Sequence, residues 1–434
     1  MRNPLLQKVL RSEFVRHSAL VFGATTTSSV LSYLFNFAVS RRLGVVDYAS
    51  VSSLSGLLVI LSLPALVINL IVVKYAAEFH AVADVARLAR LKHVVLRGSA
   101  ILAAAFFVCG FLLRGFVASF LHIPNDSAVV LTLAIVALSY MIPSVRGILQ
   151  GSQNFRMFSV SVVLEVFLKV LFAVGLVYAG FGVRGAMFGW SVAVAVTLLY
   201  TMWVVRATLS GAAEVKLSID GPRLFKTIYG VAAATAGLTL LSFLDVVLVK
   251  HFFDARQAGL FAAVNLTGKV VLFIVAFLPM TLLPKAVAKA ARGESPTGLL
   301  VQAALGTLLI SGTTLAVFAA MPATIISLVA GRAFAPAAPY VFRYDIAMTL
   351  LAGITLVVNY KVALHRYDFV YPLFVILIGE VGAIALWHRG LMDVVNILLA
   401  GNAVALLAVT YRINATEQSA ANFSPSGEER TANV

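Results

Sequence analysis

Twelve apolar runs dominate this chain, and most reach the roughly 20 residues that a helix needs to cross a hydrocarbon core about 30 Å thick. In the first half they cover 17–40, 49–73, 94–118, 128–145, 157–180 and 183–205; in the second, 225–249, 259–283, 298–320, 341–361, 369–387 and 392–412. Only a helix or a closed barrel satisfies its backbone groups inside lipid, and runs of this length select the helix. Charge content agrees: 12% of residues are charged, against about 25% in soluble domains. The expected class is an all-α integral membrane protein with twelve transmembrane helices.

The remaining composition narrows the partners. The formal net charge is +15. On so apolar a chain this places basic connections against anionic headgroups rather than nucleic acid. Cys109 is the single cysteine, so no disulfide or cysteine-based metal site is expected. Met1–Arg16 is basic, and no small-residue cleavage signal follows the first apolar run, which is therefore expected to be a retained helix. About two-thirds of the 33 Lys and Arg residues fall in the N-terminal segment, alternate connections and the tail, predicting both termini on the cytoplasmic side.

The chain also repeats itself. A polar hinge, Ser40–Ala49, separates the first two runs, and a second, Lys250–Gly259, lies between the seventh and eighth. Pro64 and Pro279 fall late in the second run of each half, and Glu165 and Glu380 in the fifth. An even number of crossings per half inserts both halves with the same orientation, as in parallel repeats. Two six-helix lobes related by a parallel pseudo-two-fold, enclosing a central cavity, are expected. Their bounds are 17–205 and 225–412, with a cytoplasmic linker over 206–224 and a disordered cytoplasmic tail over 413–434.

The first hinge, with Arg41, Leu43-Gly44 and Asp47-Tyr48, resembles the R-x-L-G-x-x-x-[FY]-G element of the polysaccharide transporter family. That family belongs to the multidrug/oligosaccharidyl-lipid/polysaccharide exporter superfamily and includes the Wzx-type flippases. Gly147–Gly151 with Phe155, Leu244–Val249, Ala258–Ala263 and Gly331–Pro339 are similar to further elements of it, in the same order. Ala49 and Asp254 stand where the hinges usually carry Gly. Asn265 stands where Lys or Arg is common, with Lys269 one helical turn on. The resemblance implies flipping of a polyprenyl-(pyro)phosphate-linked oligosaccharide across the cytoplasmic membrane by alternating access. Glycosyltransferases or a polymerase of the same pathway would be partners, and the chain would be a monomer in contact with membrane lipids.

Charged side chains inside the bilayer are costly and normally face a partner or water. Glu165 and Lys169, spaced i,i+4, share one helix face and can pair. They are either a self-neutralised structural pair or a cavity lining whose Lys meets an anion. Lys269 lies well inside its run with no acid at i±3 or i±4, which favours cavity lining. Arg146, Arg184 and Lys361 lie at predicted helix ends, where an interfacial role competes with cavity lining for Arg146 and Lys361. Arg41 and Arg42 anchor headgroups or edge the cavity. Asp245 and Lys250 bracket a helix end where snorkelling is the ordinary explanation, with ion coupling the alternative for Asp245. Glu380 has no nearby cation in sequence and is the second ion-coupling candidate.

Gly180–Gly185 matches G-x-G-x-x-G but joins two apolar runs, whereas the dinucleotide fingerprint follows a strand. No Walker A, H-E-x-x-H or C-x-x-C pattern is present, so neither cofactor nor metal is expected, nor is an enzyme. Alternatives to the flippase are an ion-coupled cation (multidrug) antiporter and an integral-membrane glycosyltransferase or polymerase. The last needs acids in outer loops, where Asp47, Asp126, Asp254, Asp345 and Asp393 are the candidates.

Overall fold

The computed structural model describes residues 13–124, 126–208, 221–276 and 295–411, with isolated positions between 277 and 294. The 413–434 tail and most of the 206–224 linker lie outside the described residues, as does most of the stretch around Pro279. The chain forms two compact units, Met1–Ile228 and Tyr229–Val434. Unit 1 holds α1 (Glu13–Leu61), α2 (Leu63–Ala81), α3 (Val85–Leu112), the short α4 (Arg114–Phe120), α5 (Ser127–Gly151), α6 (Phe155–Lys169) and α7 (Gly182–Thr208). Wide-turned π-helical segments, Val170–Val174 and Val177–Phe181, carry α6 onward to α7. Unit 2 holds α8 (Gly221–Phe252), α9 (Ala255–Val275), α10 (Thr297–Ala320), the short α11 (Pro322–Val329), a 3₁₀ turn at Arg332–Ala337, α12 (Ala338–Ala363), α13 (Val370–Leu386) and α14 (Leu391–Thr410). A short helix follows the third crossing of each unit, so the order of elements repeats.

Ten helical stretches among the described residues are long and apolar enough to span a membrane, with Val370–Leu386 a shorter apolar helix. Two of the ten each contain a glycine break, at Gly44 and at Gly180–Gly182. The segment after Gly44 continues through α2 as one bent crossing. Six crossings per unit result, and this is a multi-pass membrane protein.

The first hinge is much tighter than the polar stretch Ser40–Ala49 suggested. Helix geometry continues through it except at Gly44, with φ 74° and ψ −174°, a region open essentially to glycine alone. That one residue reverses the chain: the Tyr48 hydroxyl donates to Asn36 Oδ1 at 3.2 Å, whereas 12 residues of straight helix span about 18 Å. The second hinge works differently. Asp254 takes φ −60° and ψ 162°, and its carboxylate accepts from the backbone N–H groups of Arg256 and Gln257. An N-cap needs no positive φ, so aspartate here fills the role that glycine plays in the first hinge.

Other boundaries move for local reasons. The run 49–73 is interrupted at Ser62, just ahead of Pro64 near the start of α2, and continues to Ala81. The third crossing begins at Val85 rather than near 94, capped by Asp84, whose side chain accepts from Arg87 N. It stops at Leu112, with α4 a separate helix.

The fourth crossing is the axis of each unit. In unit 1, α5 packs on α2, α3 and α7; in unit 2, α12 packs on α9, α10 and α14. Both bury half or more of their residues. Peripheral α3 and α10 expose apolar side chains such as Ile101, Val108, Leu305 and Leu309, the surface expected against lipid tails.

Candidate functional site

Each unit encloses its own polar cluster. In unit 1, Arg146 near the end of α5 reaches across to α6. Its Nε donates to Ser161 Oγ at 3.0 Å and its Nη2 to the Ser161 carbonyl at 2.6 Å. The same Nη2 lies 2.8 Å from Glu165 Oε2, with side chains only 16% and 22% exposed. Arg146 is thus an internal ion-pair member rather than an interfacial residue. Helix α5 sets this up by presenting Arg146 over the start of α6, which Asn154 caps by accepting from Met157 N.

The expected Glu165–Lys169 pair is therefore corrected: the carboxylate contacts Arg146. Lys169 feels the Glu165 charge, but its ammonium turns away to α1 and α7. It lies 4.8 Å from the Phe35 ring centroid and 4.5 Å from that of Trp190. The two rings meet edge to face, and Lys169 Nζ donates to Ser32 Oγ at 3.4 Å. An ammonium boxed by aromatic faces is held by their quadrupoles. The i,i+4 rule places two residues on one face; what the neighbouring helices offer decides where each side chain goes.

In unit 2, the cluster centres on Asp245 of α8, which is buried rather than snorkelling. Tyr344 of α12 donates its hydroxyl to Asp245 Oδ2 at 2.7 Å, and Asn265 Nδ2 of α9 donates to the same oxygen at 3.1 Å. Asp245 Oδ1 accepts from Val246 N. Lys250 is buried as well. Lys269, on α9, lies 4.6 Å from the Phe243 ring centroid and interacts with the Asp245 charge. It therefore finds within its own unit the acid that was missing at i±3 and i±4.

Asp345 is not an outer-loop acid. It is buried in α12, with Oδ1 accepting from Thr267 Oγ1 at 3.1 Å and Oδ2 without a hydrogen bond. Glu380 of α13 is buried with Oε1 also unbonded, and it feels the Asp245 charge. A Cβ on Gly401 of α14 would overlap the Glu380 carboxylate, so that glycine makes room for the acid.

Glu165 and Glu380 each stand ten residues past the first residue of their helix, but their surroundings differ. Arg146 lies nineteen residues before Glu165, and Lys361 stands at the same distance before Glu380. The unit 2 cation, however, is turned to Asp368 rather than to its glutamate. Lys361, near the end of α12, is completely buried. Its Nζ donates to Asp368 Oδ2 at 2.8 Å and to the Tyr411 carbonyl at 3.1 Å, which ties the ends of α12 and α14 together. Arg41 and Arg42 remain exposed at the first hinge; Arg41 stacks on Phe37, and Arg42 lies over Tyr178 and donates to its carbonyl. Arg184 is exposed too. Among the described residues no three His, Cys, Asp or Glu side chains group to hold a metal ion.

No family model and no curated relative matches the sequence. Solved structures do share the fold. An inward-facing multidrug-resistance MATE transporter of the MOP superfamily matches with TM-score 0.76 at 13% identity, over 90% of this chain and 96% of that one. The lipid II flippase MurJ, in an inward closed conformation, matches with TM-score 0.68 at 9% identity, over 93% and 90%. A MOP-superfamily transporter from Pyrococcus furiosus, whose binding pocket of reverse polarity suggests a different function, matches with TM-score 0.66 at 14% identity, over 95% and 98%. The chain has the fold of the MOP-superfamily transporters.

Proposed function

We propose that this chain is a flippase for a polyprenyl-(pyro)phosphate-linked oligosaccharide, working by alternating access in the cytoplasmic membrane with both termini inside. The observation that carries this reading is the cationic balance of unit 1, where Arg146 takes the carboxylate of Glu165 and leaves Lys169 against aromatic rings and a serine hydroxyl. An excess cation held in an apolar fold is costly unless something anionic visits it, and a lipid-linked pyrophosphate supplies that charge. The fold shared with a lipid II flippase supports the same class of substrate. Arg146 and Lys169 would contact the phosphates, with Lys269 as a further cation. Asp245 and Glu380 would carry a coupling ion, and the route serves cell-surface polysaccharide synthesis alongside glycosyltransferases or a polymerase.

Cation antiport is the second reading, favoured by the buried acids of unit 2 and by the fold shared with MATE transporters. Proteoliposomes separate the two. Wild-type protein should translocate a fluorescent polyprenyl-pyrophosphate oligosaccharide and leave ethidium distribution unchanged. Ethidium efflux without glycolipid transfer would establish the antiporter instead.

A further inference from the structure

The third crossing of unit 1 carries a feature that transport does not account for. Its first four turns hold Arg87, Arg90, Lys92, His93 and Arg97, while α10, the third crossing of unit 2, holds no charged residue. These cations sit on the helix itself rather than in the connection before it.

At 100° per residue, Arg87, Arg90, Arg97, Ile101, Val108 and Leu112 fall on one side of α3, and all are exposed. Leu88, Leu91, Lys92, Ser99 and Ala103 are buried on the other. One continuous outer stripe is therefore cationic at its start and apolar beyond Arg97. The 28 residues of α3 exceed the roughly 20 that cross a hydrocarbon core. Counted back from Leu112, the core ends near His93. Arg87 and Arg90 then lie at headgroup depth, and Arg97 reaches it by snorkelling. Arg87 pairs with Asp84 at 3.3 Å. Arg90 and Arg97 have no hydrogen bond or ion pair among the described residues.

We infer that this arginine stripe is a docking site for anionic phospholipid headgroups of the surrounding bilayer. Continuity with the lipid-facing apolar stripe selects the occupant. A lipid seated there lays its chains along Ile101 and Val108 and its phosphate against Arg90 and Arg97, whereas a soluble anion uses only the upper part. Guanidinium groups suit the role because their forked donors match phosphate oxygens. The inference does not depend on what the protein transports.

Native mass spectrometry of the full chain, released from neutral detergent, tests it with phosphatidylglycerol, phosphatidylcholine and inorganic phosphate as probes. Wild-type protein should prefer phosphatidylglycerol over phosphatidylcholine at least about 25-fold. Each neutralised arginine should weaken that binding roughly fivefold. Arg90→Gln/Arg97→Gln should thus lose roughly 25-fold, with phosphatidylcholine unchanged, while Arg90→Lys/Arg97→Lys keeps most of the preference.

A wild-type salt titration keeps the test open if the Gln variant does not fold. The preference should collapse between 0.1 M and 1 M salt, as the screening length falls from about 10 Å to about 3 Å. Unchanged lipid preference in the Gln variant, or in high salt, overturns the inference. So does competition by inorganic phosphate as effective as the lipid, which marks a site for soluble anions. Equal binding of the two lipids overturns it as well and leaves the stripe to an acidic protein surface.

Discussion

The two units share an order of helices but not a charge pattern. Among the described residues, every buried acid lies in unit 2, as Asp245, Asp345 and Glu380 beside Lys250 and Lys361, while the buried charged side chains of unit 1 are Lys92 and Lys169. Unit 1 serves its half-buried Glu165 with Arg146; unit 2 leaves Glu380 with an unbonded oxygen while its Lys361 pairs with Asp368. Duplication of a scaffold thus preserved the crossings while the embedded polar groups diverged. Packing helices against each other requires only shape and apolar surface, so charged positions are free to specialise. Under the proposed function, this divergence would be a division of labour, with basic groups for an anionic substrate and acids for a small cation.

The largest expected effect comes from breaking the ion pair of unit 1. Glu165→Ala strands Arg146 and Lys169 together, and removing one partner of a buried pair costs about 3–5 kcal/mol. Yield and thermal stability in detergent should fall sharply, and Arg146→Met/Glu165→Gln should recover both. In unit 2, Tyr344→Phe removes a 2.7 Å donor from Asp245. Hydrogen bonds to charged groups contribute about 1.5–3 kcal/mol, so a smaller loss of thermal stability is expected; no loss would show that Asn265 and Val246 N suffice for Asp245.

The hinges give the finest contrast. Gly44→Ala meets no neighbouring atom within 4 Å, so its expected cost of about 1–3 kcal/mol is purely backbone strain. Asp254→Ala loses an N-cap, about 1 kcal/mol, whereas Asp254→Gly should cost only a few tenths. Equal effects of alanine and glycine at 254, measured by thermal unfolding, would contradict the capping role.

The crossings were legible in the sequence because lipid imposes a length and an apolarity that a single run displays. The partners were not. Glu165 and Lys169 look paired along one helix, yet Arg146 comes from another, and Phe35 and Trp190 box Lys169 from two more. Asp345 stood at the edge of an apolar run and resembled a loop acid until Thr267 and the packing of α12 on α9 buried it. Tyr344 and Gly401 carried no sequence signal, since a tyrosine near a helix start and a glycine within a helix are ordinary. The two hinges were recognisable as copies, but only backbone geometry shows that one turns on a positive φ and the other on a cap.

The division of labour between the units is tested most directly by glycolipid flux in proteoliposomes, comparing Lys169→Met in unit 1 with Glu380→Gln in unit 2, each with and without an imposed ion gradient. Lys169→Met should abolish transfer under both conditions, since the substrate loses its cation. Glu380→Gln should retain transfer down the substrate gradient while losing its response to the ion gradient. Full flux in well-folded Lys169→Met, or identical losses in both variants, would contradict the account.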